Sequence, residues 1–128
     1  MTDSGSNIDL VLPWPPSVNT IWRNVVVGRS SRTLLSEAAR VYFVEAACAV
    51  YAQRDGRRIE GRAKVEITLH PPTRARIDLD NRCKAILDAL TKGCIWDDDH
   101  QVDELHVKRG QVIKGGKAVV VVSSVEAA

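Results

Sequence analysis

A chain of 128 residues with 45% hydrophobic and 27% charged residues has the balance of an ordinary globular protein, which excludes a disordered one, and its length fits one domain with one core. Its net charge of +2 is too small to define a polyanionic partner, and no stretch approaches the roughly 18 apolar residues that span a bilayer. The cysteines Cys48, Cys83 and Cys94 are odd in number and sit in apolar patterns, so they read as reduced core residues of a cytosolic protein.

Residues 1–7 read as a flexible tail, polar and without the apolar core of a signal peptide, ahead of one domain over 8–125. Ile8, Leu10 and Leu12 alternate with Asp9 and Val11 as a short strand, which Pro13, Pro15 and Pro16 end because proline offers no ladder donor. The segment 17–35 mixes Val25-Val26-Val27 with Gly28, Ser30 and Ser31 and reads as an irregular arm or a mobile hairpin. Ser36 is a suitable N-cap for a helix over about 37–54, with Ala38, Val41, Val44, Cys48 and Tyr51 as its expected buried stripe. Val65, Ile67 and Leu69 alternate with polar neighbours as a second strand, closed by Pro71-Pro72.

The next helix has the clearest pattern. Leu79, Cys83, Ile86, Leu87 and Leu90 fall on one apolar face, and Gly93 supplies a stop. Leu105 and Val107 belong to a third strand, and Gly115-Gly116 turns into a last one over Ala118–Ser123, whose continuous valines suggest a central strand or one buried on both faces. The expected fold is α/β (α+β): a single compact domain with two helices packed on a small mixed β-sheet.

Charge is unevenly distributed. No acid occurs between Asp9 and Glu37, where Arg23, Arg29 and Arg32 lie, and Arg57, Arg58, Arg74 and Arg76 stand in a second basic stretch. Two basic stretches around an acidic cluster suit a phosphate-rich ligand, although scattered surface arginines fit equally well. On the second helix Asp80, Lys84 and Asp88 share one stripe, with Asp78 just before it. Such carboxylates suit Mg²⁺, which takes one or two of them plus water and phosphate oxygens, yet they serve equally as a helix start with ordinary i,i+4 pairs. Asp97-Asp98-Asp99 is either a solvated turn or a set of repelling charges that a cation offsets. His100, His106, Cys83 and Cys94 lack zinc-site spacing, and no Gly-rich phosphate loop or Gly-x-Ser-x-Gly elbow occurs.

Together, Asp78-Leu79-Asp80-Asn81 with Lys84 and Asp88, then Trp96, Asp98, Asp99, Gln101 and Val102, resemble the RusA family of Holliday-junction resolvases. Leu12-Pro13-Trp14-Pro15-Pro16-Ser17, Asn19, Arg23 and Lys114-Gly115-Gly116 match it in the same order, so the likeness covers about residues 10–122. The resemblance implies a small α/β homodimer that nicks four-way DNA junctions symmetrically with Mg²⁺ (or Mn²⁺), in recombination and repair. It implies Asp78, Asp80, Asp99 and Lys84 as catalytic residues, and Asp78, Asp80, Asp99 and Asp98 as metal ligands. It leaves Asp97 without a role. Arg23, Arg29, Arg32, Arg57, Arg58, Arg74 and Arg76 are then expected on DNA phosphates. Neither a nucleotide cofactor nor a membrane is expected, and the location is cytoplasmic, on the nucleoid of a bacterial or phage-infected cell. The alternatives are an inactive junction-binding module of the same fold and a metal-dependent nucleotide phosphohydrolase.

Overall fold

The computed structural model describes residues 7–18, 22–27 and 30–125, with side chains at 7–18 and 35–125. The strands are β1 (Ile8–Pro13), β2 (Trp22–Val27), β3 (Ser30–Leu35), β4 (Ala63–His70), β5 (Val102–Arg109) and β6 (Lys117–Ser124). The helices are α1 (Glu37–Gln53) and α2 (Asp80–Lys92), and a 3₁₀ turn, Asp99–Gln101, leads into β5. The fold is α+β, with a four-stranded mixed sheet in the order β1-β6-β4-β5. β6 runs antiparallel to both neighbours, while β4 and β5 are parallel and joined through α2. The arm before α1 is an antiparallel hairpin of β2 and β3. Residues 1–6 of the expected tail lie outside the described residues.

Alternation decides which face of the sheet is covered. Ile8, Leu10 and Leu12 of β1, Val65, Ile67 and Leu69 of β4, and Ala118, Val120 and Val122 of β6 are all buried in one core with the helices. β6 is central, as its valines suggested. It is buried on one face only, because Val119 and Val121 keep partial exposure on the side that no helix covers.

Ser36 caps α1 by accepting the Ala39 N–H at 3.2 Å. The buried face of that helix differs from the expected one. Ala39, Tyr42, Phe43, Ala46 and Val50 face the core, while Val41, Val44 and Tyr51 are exposed, as are Ala38 and Cys48. The middle of α1 is apolar nearly all round, so periodicity does not choose a stripe. The packing surfaces choose the one that buries both aromatic rings beside small alanines. Cys48 is therefore not a core residue; Cys83 is, Cys94 is partly exposed, and all three thiols are free.

α2 buries Cys83, Ile86 and Leu90 as expected, with Ala85 and Ala89 added and Leu79 and Leu87 at the margin. Gly93 ends it, and a Cβ there would lie 2.5 Å from the Val50 side chain, so glycine lets α1 approach the end of α2. Trp96 is fully buried, and its indole N–H donates to Thr91 Oγ1 at 2.7 Å. The chain leaving α2 is thereby tied back onto it. No helix among the described residues is long and apolar enough to cross a membrane.

Candidate active site

α2 presents a charged stripe on the side away from the core. Asp80 opens the helix, Lys84 follows one turn later, and Lys84 Nζ lies 3.1 Å from Asp88 and 3.5 Å from Asp99 of the 3₁₀ turn. Asp88, and after it Asp99, hold the Lys84 ammonium above its ordinary pKa, against a smaller opposing effect of burial. Lys84, Asp88, Asp98 and Asp99 line a cavity of about 400 Å³ together with Val18, Leu35 and Phe43. The helix stripe and the distant acidic turn thus meet at Lys84.

No side chain caps the start of α2. Asp78 takes a hydrogen bond from the Asn81 amide at 3.3 Å, and no ion-pair or hydrogen-bond partner reaches the Asp80 carboxylate among the described residues. Both residues are exposed beside the positive end of the helix dipole. Burial, and after it the Asp80 charge, push the Cys83 thiol up.

The three consecutive acids have three different surroundings. Asp97 accepts the Arg58 guanidinium at 2.6 Å, which accounts for the residue that the sequence left without a role. Asp98 is the N-cap of the 3₁₀ turn and accepts the His100 N–H at 3.1 Å. That hydrogen bond, with the Asp99 carboxyl second, holds Asp98 below its ordinary pKa. Asp99 alone turns toward α2. Gln101 fixes the arrangement. Its buried side chain accepts the N–H groups of Asp97 and Asp98 at 3.0 and 3.3 Å and donates to the carbonyls of Ile59 and Gly61 at 3.1 and 2.8 Å. Arg62 adds a bond to the His100 carbonyl at 2.7 Å.

A second clamp holds the other end of α2. The Arg82 guanidinium lies over the Trp14 ring, 5.2 Å from its centroid, and donates to the Pro15 carbonyl at 2.6 Å. The Trp-Pro-Pro segment therefore braces the helix that carries Asp80 and Lys84. Sequence reasoning missed Gln101 and Arg82 as positioning residues; a glutamine just past an aspartate N-cap was the available signal for the first.

Among the described residues, no group of three or more His, Cys, Asp or Glu side chains gathers closely enough to hold a metal ion. Asp78, Asp80, Asp98 and Asp99 form no closed cage. They are nonetheless hard oxygen donors of the kind Mg²⁺ takes in ones and twos, with water and substrate phosphate completing the shell. The donor chemistry fits that ion.

Arg74 and Arg76 are exposed and share a groove with Arg109, whose guanidinium donates to the Ile77 carbonyl at 3.0 Å just ahead of Asp78. Arg57 is exposed beside Arg58, which is paired with Asp97 and Glu60. Arg23 and Arg32 lie on β2 and β3, their side chains outside the described residues, and Arg29 lies wholly outside them.

A mixed α+β sheet whose crossover helix sets a lysine between its own carboxylates and those of an acidic turn is a site suited to a negatively charged, phosphate-bearing substrate. The family model described as endodeoxyribonuclease RusA matches residues 13–123. The crossover junction endodeoxyribonucleases of Enterobacteria phage 82 and of Escherichia coli K12 are each 37% identical over 108 residues, covering 84% of this chain and 87% of theirs. The phage HK97 protein of the same name is 30% identical over 116 residues, 91% of this chain and 93% of its own. The chain belongs to the RusA family of endodeoxyribonucleases.

Proposed function

We propose that this protein is a crossover junction endodeoxyribonuclease that acts as a homodimer and resolves four-way DNA junctions by paired symmetric nicks. The observation that carries this reading is the meeting of Lys84 with Asp99, one turn along α2 from the unengaged Asp80. The relatives' name supports the substrate. Two symmetric cuts need two equivalent sites, which a two-fold dimer supplies.

The reaction is phosphodiester hydrolysis. Water adds to phosphorus in line and releases a proton to solvent, a new P–O bond forms, one ester P–O bond breaks, and the departing oxygen takes a proton from solvent. Asp78, Asp80 and Asp99, with Asp98 beside them, would hold Mg²⁺ (or Mn²⁺). Bound there, such an ion lowers the pKa of a coordinated water and polarises the phosphate. Lys84 keeps its proton and faces the phosphate oxygens, where its charge opposes the negative charge that builds in the transition state. Asp88 holds the ammonium when substrate is absent.

Arg57, Arg74 and Arg76, with Arg23, Arg29 and Arg32 of the hairpin segment, would contact backbone phosphates. Arg58 would join them while sharing its contact with Asp97. Binding should therefore weaken steeply with added salt. The test is cleavage of a synthetic four-way junction with Mg²⁺. Paired nicks at symmetric positions are expected, with linear duplex of the same sequence left intact. Equal cutting of both substrates, undiminished cutting in a chelator, or tight junction binding without product under any divalent metal would overturn the reading.

A further inference from the structure

The cavity that holds Lys84 and Asp99 is lined by apolar as well as charged groups. The charged ones gather at Lys84, which meets Asp88 and Asp99. Thr91 and Lys92 lie about two turns further along α2, about 10 Å from Lys84 by the helix rise. There the wall changes character. The Lys92 ammonium lies over the Phe43 ring, 5.6 Å from its centroid. Leu35 borders the same two residues, both in this cavity and in the groove that adjoins it on α1. Val18 adds another apolar side chain to the cavity. The Thr91 hydroxyl is already engaged, accepting the Trp96 indole N–H at 2.7 Å and donating to the Leu87 carbonyl at 3.2 Å.

Hydrolysis of a phosphodiester uses none of these apolar groups. A phosphate gains nothing from Val18, Leu35 or Phe43 and loses hydration beside them. The group that fits must arrive with the phosphate, have apolar faces, and carry acceptors along its edge. A nucleobase of the same strand has all three properties.

We propose that the Lys92 end of the cavity is a subsite for one unstacked nucleobase flanking the scissile phosphate. Val18, Leu35 and Phe43 pack against the base, and Lys92 donates to its edge. The inference rests on the nuclease reading above and adds which group beside the phosphate the site takes.

Size and charge agree with this occupant. A cavity of about 400 Å³ falls among pockets that take a small molecule, so it has room for a base beside its phosphate. Lys84 is held by two carboxylates, whereas Lys92 has no carboxylate partner among the described residues. Its donors are therefore open to an incoming acceptor, and base edges carry several. The substrate makes the base easy to take. At the crossover of an open four-way junction each base pair stacks on one side only, so extracting a base costs less there than in a linear duplex. The subsite thus favours a junction over continuous duplex without reading the junction's overall shape.

The test is Mg²⁺-dependent cleavage by the full-length protein of an intact four-way junction and of matched junctions that lack one base, on either side of the nick. V18A/L35A should cut the intact junction about tenfold more slowly than wild type, the scale of a lost base contact. On one of the two abasic junctions the variant and wild type should cut within about twofold of each other, because the group that both side chains touch is gone. Lys92→Met keeps the stem and removes the donor, and should narrow the spread of rates among the four bases at that same position. Damage to the fold slows every substrate alike, so convergence on an abasic junction separates a lost base contact from lost structure. Equal losses on the intact and both abasic junctions, or no loss on any, would overturn the subsite and leave the nuclease reading standing. No cleavage of the intact junction by wild type would overturn both.

Discussion

The two acidic stretches of this protein look alike in sequence and differ in what surrounds them. Asp78 and Asp80 stand at an uncapped helix start, and the only side-chain hydrogen bond to either among the described residues is that of the Asn81 amide to Asp78. In the Asp97–Asp99 turn, Asp97 is paired with Arg58, Asp98 caps the turn, and only Asp99 faces the helix and its lysine. Carboxylates that already hold part of the fold have little freedom to bind something else. Those left exposed beside a positive helix end, at the cost of a missing cap, are free to take the part proposed for them in the chemistry. Under the proposed function the difference sets Asp78, Asp80 and Asp99 at the reaction and leaves Asp97, and chiefly Asp98, to hold the turn.

The largest effects that would sharpen this contrast come from the acids proposed to hold the metal. Asp78→Asn and Asp99→Asn should each lower junction cleavage on the order of a thousandfold or more, with the melting temperature near that of wild type. Single-turnover cleavage and thermal denaturation check both halves. Lys84→Ala should cost about a hundredfold to a thousandfold in the cleavage step while leaving junction affinity nearly intact, as expected for a charge that acts mainly in the transition state. Gln101→Leu strikes the other side of the comparison. It leaves four backbone groups without their partner and should destabilise the protein by about 3 kcal/mol in denaturant unfolding. Cleavage should fall as well, because the turn that aims Asp99 loosens.

The smallest effect is pH-dependent. The folded protein holds Asp98 below its ordinary 3.8, so its ionised cap stabilises the fold above that pH, and the contribution fades as pH falls through the lower folded value. Asp98→Ala should therefore lower the melting temperature at neutral pH, with the gap to wild type closing as the pH drops below 3.8. A gap that persists unchanged in acid would show that the aspartate acts through something other than its charge.

Much of this was legible in the sequence, and the exceptions have physical causes. Strict alternation made β1 and β4 readable, and the one-sided apolar stripe of α2 placed Asp80, Lys84 and Asp88 together on the opposite face. α1 was placed correctly by Ser36, but its buried face was not. With apolar residues nearly all round, the choice lies in how Tyr42 and Phe43 fit the space left by Ala39 and Ala46, which no periodicity encodes. The same limit applies to Asp97. Its partner Arg58 lies 39 positions away and is brought close only by the fold, so the run of acids read as one feature when it is three. Cys48 looked like a core residue for the same reason as its neighbours on the wrong stripe.

The most direct test of the contrast sets Asp80→Asn beside Asp97→Asn in one Mg²⁺-dependent junction-cleavage and junction-binding experiment. The structure predicts that Asp80→Asn binds the junction and does not cut it, whereas Asp97→Asn cuts within about twofold of wild type, since a surface ion pair contributes little. A cutting Asp80→Asn, or a folded Asp97→Asn that binds without cutting, would contradict the division between Asp80 and Asp97.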